Sequence, residues 1–100
     1  MAERVVERTL SDGGLSIHYR LERLGGDLLL TVTGGAAHVG CVVLATHRQS
    51  LTGSGADSAD SSVLNRSGHK DEFLLRALAE RLSAVAGCAV AAVGGVHYDG

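Results

Sequence analysis

Between residues 15 and 21, Leu15, Ile17, Tyr19 and Leu21 alternate with Ser16, His18 and Arg20. Alternation with period two and a polar second face predicts a half-buried antiparallel strand. Residues 4–10 repeat the pattern more weakly, with Val6, Arg8 and Leu10 set against Val5, Glu7 and Thr9. Asp12-Gly13-Gly14 and Gly25-Gly26-Asp27 read as hairpin turns, because glycine adopts the positive φ that tight hairpins require. Residues 28–33 (Leu28, Leu29, Leu30, Thr31, Val32, Thr33) predict a third, more apolar strand. After Gly34-Gly35, residues 38–45 predict a fourth strand, apolar on both faces. Short turns between these strands imply an antiparallel meander.

The pattern then changes. Residues 50–68 are rich in Ser, Gly, Asp and Asn, with little to bury, and read as a mobile loop inside one domain spanning residues 1–100. In residues 70–86, Leu74, Leu78, Leu82 and Val85, with Leu75 and Ala79 beside them, form a stripe at helical spacing. Glu72–Arg76 and Arg76–Glu80 are i,i+4 pairs on its polar face. Ser67 is the expected N-cap, Asp71 and Glu72 suit the first turn, and Gly87 stops the helix. Residues 88–93 are continuously apolar and predict a last strand buried on both faces. The order β-β-β-β-α-β gives an α+β fold: a mostly antiparallel sheet of four or five strands with one helix packed on a face. One helix leaves the other sheet face bare, and the two-sided apolar strands call for a covering surface that a homodimer would supply.

Composition narrows the function. One hundred residues make one domain, 45% hydrophobic and 20% charged. A net charge of -2 argues against binding nucleic acid or an anionic membrane through bulk charge. Cys41 and Cys88 give no disulfide framework and suit a reducing cytoplasm. The charged start of the chain lacks the apolar run of a signal peptide, and residues 87–98 are too short to span a bilayer.

Candidate chemistry rests on the five histidines, three of which stand among glycines. His69, with Lys70 adjacent, stands at the predicted helix start, where free backbone N–H groups accept an anion such as a phosphate; an ordinary solvated helix terminus is the alternative. His97 and Asp99 share one side of an extended strand, which suits a divalent metal or a hydrogen-bonded His–Asp pair; a frayed terminus is the alternative. His38 enters an apolar strand, where a backbone carbonyl could satisfy it. No nucleotide-binding glycine loop, nucleophile elbow or zinc-finger spacing is present.

Residues 35–45 (Gly35-Ala36-Ala37-His38-Val39-Gly40-Cys41-Val42-Val43-Leu44-Ala45), Gly68-His69-Lys70-Asp71-Glu72 and Gly95-Val96-His97-Tyr98-Asp99 together resemble the LpdD-like prenylated-flavin chaperones, small proteins associated with UbiD-type decarboxylases. The resemblance covers roughly residues 15–99, with Ser67 standing where a proline is expected before Gly-His-Lys. It implies a fold similar to the small proteasome-assembly chaperones, a dimer, and a carrier that is not an enzyme. Such a carrier would hold prenylated FMN, with a divalent metal such as Mn2+, and pass it to a UbiD-type decarboxylase. The resemblance places His38, Gly68, His69, Lys70 and Asp71 at the flavin and His97, Asp99 and His38 at the metal. Two other readings stand beside it. One is an assembly chaperone or interaction module that binds a partner through its sheet without flavin. The other is a small metal-dependent enzyme using the His–Asp group.

Overall fold

A computed structural model describes residues 4–49, 57–66 and 71–98. The elements are β1 (Val5–Asp12), β2 (Leu15–Leu24), β3 (Asp27–Gly35), β4 (Cys41–Gln49), β5 (Asp57–Asn65), α1 (Glu72–Ala86) and β6 (Val90–His97). They form one six-stranded mixed sheet in the order β1-β2-β3-β6-β4-β5 and one helix. The fold is α+β, as the patterning requires. The strand count is six rather than four or five, because part of the expected 50–68 loop, Asp57–Asn65, is an edge strand antiparallel to β4. Its serines and aspartates gave no strand signal, since an edge strand beside a helix has little apolar surface to hide.

The meander holds for β1, β2 and β3, which pair antiparallel through the turns at Gly13-Gly14 and Gly25-Gly26. It fails at the fourth strand. β6 lies between β3 and β4, parallel to the first and antiparallel to the second. Gly34-Gly35 is therefore the end of β3 rather than a hairpin, and residues 36–40 arch over the carboxyl end of β6 to reach β4. His38 belongs to this arch and not to a strand. Continuous apolar runs in β4 and β6 are the signature of central strands, and a central strand is what each is.

The core lies between the sheet and α1. Leu30, Val32, Cys41, Val43, Ala45, Leu75, Ala79, Val90 and Ala92 are buried. The helix packs on β4, β5 and β6. Its buried line is Leu75, Ala79 and Ser83. Leu74, Leu78 and Leu82 are half-buried on the flank, and Val85, expected in the buried stripe, is 73% exposed. Ser83 tolerates full burial because its hydroxyl donates to the Cys88 carbonyl at 2.6 Å. Gly87 ends the helix in the left-handed conformation at φ 70°, donating its N–H to the Ser83 carbonyl. Both expected i,i+4 pairs form, Arg76 lying 3.2 Å from Glu72 and 3.4 Å from Glu80. Among the described residues no helix is long and apolar enough to cross a membrane.

Leu75→Ala should destabilise the chain by about 2–5 kcal/mol, because it empties a core site under the helix. Phe73→Ala, at a position 83% exposed, should change stability by no more than about 0.5 kcal/mol. Urea unfolding followed by circular dichroism checks both.

Candidate functional site

Parallel pairing of β3 and β6 brings their carboxyl ends to one edge of the sheet, where β4 begins and α1 starts. The arch of residues 36–40 crosses that edge. Three segments distant in sequence thus meet: the arch with His38, the helix start with Asp71, and the end of β6 with His97.

Asp71 occupies the N-cap position of α1, yet its side chain makes no capping hydrogen bond. The carboxylate is turned into the protein, 9% exposed. Its Oδ1 accepts the Val96 backbone N–H at 2.9 Å, and its Oδ2 lies 3.2 Å from His38 Nε2. His38 Nδ1 lies 2.9 Å from the Ala36 carbonyl. A carbonyl only accepts, so Nδ1 carries a hydrogen. Nε2 then faces a carboxylate oxygen, and that contact needs one more proton, on Nε2 or on Oδ2, or a cation in its place. The His97 ring stands edge-on to His38, with centroids 6.3 Å apart and planes at 87°.

Glycines make room for this pair. A Cβ on Gly40 would sit 2.0 Å from Asp71 Oδ2, and one on Gly95 would sit 2.5 Å from His38 Nε2 and 2.7 Å from Asp71 Oδ2. Gly40 donates its N–H to the Gly94 carbonyl at 2.8 Å, which seats the arch on β6. The end of β6 is fixed from the other side by Tyr98. Its hydroxyl accepts the Ser16 N–H at 2.6 Å and donates to the Ser16 carbonyl. Beneath the site, Cys41 is buried, and burial raises the pKa of its thiol, with the Asp71 and then the Glu72 carboxylates adding to the effect. It is a neutral wall and not a nucleophile.

A family model for the prenylated flavin chaperone LpdD-like domain matches residues 11–100. The chain belongs to that family. A search of the curated proteins gave no match. The LpdD-like fold of this chain brings together His38, Asp71 and His97 from the residues that the sequence singled out. Gly68, His69, Lys70 and Asp99 lie outside the described residues. Ser67 also lies outside them, and the cap expected there falls at Asp71 instead, with the helix starting at Glu72 rather than Lys70. Among the described residues no group of three or more His, Cys, Asp or Glu side chains is placed to hold a metal ion.

Sequence reasoning missed the Val96 N–H, the Ala36 carbonyl and the Tyr98 clamp, which depend on strand order. The tandem Gly94-Gly95 inside an apolar strand was the available signal, since glycine within a strand marks a close approach.

Gly40→Ala should cost about 1–3 kcal/mol by forcing Asp71 off His38. Gly26→Ala, where an added Cβ meets nothing within 4 Å, should stay within about 0.5 kcal/mol of the parent. Thermal and urea unfolding of the two variants checks the difference.

Proposed function

We propose that this LpdD-like chain is a non-enzymatic carrier that binds prenylated FMN at the edge formed by the arch, the helix start and the end of β6, and delivers it to a UbiD-type decarboxylase. Family membership supports the flavin and the chaperone role. The observation that carries the site is the convergence of His38, Asp71 and His97, with Gly40 and Gly95 between them. In this reading the flavin phosphate is received by residues 68–70, whose histidine and lysine suit an anion. His38 and Asp71 hold each other in place beside the ring system, and His97 closes the other side. Nothing in the reading asks for a nucleophile, and the buried neutral Cys41 supplies none.

A divalent ion belongs to the same proposal. His38 Nε2 and Asp71 Oδ2 form a mixed nitrogen and carboxylate donor set of the kind Mn2+ accepts, and an ion can replace the proton that their contact requires. His97 does not complete a three-ligand group with them, so Asp99, outside the described residues, is the further candidate ligand. Two free cysteines, Cys41 and Cys88, agree with the cytoplasmic setting of the proposal.

The interaction reading draws support from the sheet face away from α1. Alternation from the buried Cys41, Val43 and Ala45 places Val42 and Leu44 on that face, beside Leu64, Val93, Ala91 and Leu29 in register. Leu44 is 49% exposed and Leu64 75% exposed. We read this patch as the interface of a homodimer, since an isologous contact buries it against itself. The dimer and the flavin site are compatible because the patch lies on the sheet face opposite α1, while Asp71 stands at the start of α1.

Titration of the purified chain with reduced prenylated FMN, with and without Mn2+, should show saturable binding, weakened about ten-fold or more in His38→Ala. Absence of binding under both conditions overturns the carrier. Sedimentation equilibrium should return a dimer for the parent chain and a monomer for Leu44→Arg with Leu64→Glu. A monomeric parent overturns the dimer.

A further inference from the structure

Strands in a sheet lie about 4.8 Å apart and a helix with its side chains is about 10 Å across, so six strands offer room for two helices side by side. α1 fills one place, over β4, β5 and β6. The other place is an open groove of about 340 Å3 over β1, β2 and β3. Its floor and wall are Val6, Leu10, Tyr19, Leu21, Leu78 and Leu82. Alternation keeps every one of the strand residues on the helix side of the sheet.

Charge makes this groove distinctive. Arg8 stands in it. Arg4 and Arg23 line a smaller recess that continues it past Val6 and Leu21. Among the described residues none of these three arginines forms an ion pair. Arg66 and Arg81 are likewise outside any ion pair among the described residues, while the other three described arginines are paired. Arg20 pairs with Glu7 and Glu22, Arg48 with Asp60, and Arg76 with Glu72 and Glu80. A chain with a net charge of -2 thus places three guanidinium groups along this apolar groove and the recess that continues it. At the opposite end Asp12 is the acid on the same side of β1. The groove is therefore walled by apolar side chains with Arg8 among them, runs on to Arg4 and Arg23 at one end, and points at the other toward Asp12, which lines a neighbouring recess.

We propose that the groove is a docking site for an acidic amphipathic helix of a partner protein. Leucine-type side chains at i, i+3, i+4 and i+7 of that helix fill the groove beside Leu78 and Leu82. Acidic residues on its rim meet Arg8, Arg4 and Arg23. The helix dipole orients it, with the negative carboxyl end at Arg4 and Arg23 and the positive amino end at Asp12. This surface is separate from the flavin site and is present without ligand, so its test does not depend on the carrier reading.

The probe is a fluorescein-labelled 18-residue helical peptide with leucine on one face and glutamate elsewhere, compared with a version carrying lysine for glutamate. Anisotropy titration of the full apo chain should show saturable binding of the glutamate peptide, at least about ten-fold tighter than the lysine peptide and weakened by salt. Arg8→Glu with Arg23→Glu should reverse the preference. Amide shifts on the unaltered chain, which need no variant to fold, should map to β1, β2 and the Leu78–Leu82 flank of α1. Equal binding of the two peptides, or shifts confined to other surfaces, overturns the proposal. So does a groove already filled by a second copy, seen as concentration-dependent shifts of Leu78 and Leu82, or one that takes dodecyl sulfate monomers but neither peptide.

Discussion

The buried carboxylate of Asp71 holds the candidate site of this protein together. A carboxylate taken out of water is costly unless its oxygens are matched, and here each has a partner from a different part of the chain. Oδ1 takes the Val96 N–H of β6 and Oδ2 faces His38 of the arch. The backbone carbonyl of the same residue accepts the Leu75 N–H that opens α1. One residue thereby fixes the helix start, the last strand and the crossing arch. An aspartate at an N-cap ordinarily bonds to the first turn of its own helix. Here that cap is forgone, and the carboxylate serves the tertiary contact instead.

The contact exists because of the strand order. With β6 inserted between β3 and β4, the chain leaving β3 must pass over the end of β6 before it can enter β4. That passage carries His38 to the carboxyl end of a parallel pair, the edge where open mixed and parallel sheets tend to place ligands. It also demands thin backbone. Gly40 and Gly95 admit the imidazole and carboxylate at distances no side chain would permit, and Gly94, at φ 141°, passes so close to β3 that an added Cβ would lie 1.9 Å from the Val32 carbonyl. His38 and His97, with Gly40, Gly94 and Gly95, are parts of one crossing.

Much of this was legible beforehand, and the reason differs from element to element. Ile17, Tyr19 and Leu21 alternate because one face of β2 is wet, and the first three strands follow from such alternation. Gly87 and the Glu72–Arg76–Glu80 ladder announced the helix, since capping and i,i+4 pairing act within a turn. The place of β6 was not legible. A parallel pairing across a helical connection leaves no local mark, and Gly34-Gly35 looks the same at a strand end as in a hairpin. β5 was hidden for a different reason: it meets the helix largely through Ser61–Glu80, Ser61–Arg76 and Asn65–Glu72 hydrogen bonds, with Val63 packed against the core between them. At the site, His38, Asp71 and His97 were marked by type and neighbouring glycines. Their arrangement depended on the crossing.

The proposed flavin site, the proposed dimer patch and the proposed docking groove occupy different parts of a small sheet, and only the first depends on Asp71. A double-mutant cycle on His38→Ala and Asp71→Ala, followed by urea unfolding, tests that dependence most directly. A coupling energy of about 1–3 kcal/mol between the two positions is the expected result for a buried contact of this kind. Additive effects, with coupling below about 0.3 kcal/mol, would mean that the two side chains do not hold each other, and that the edge is organised by something else.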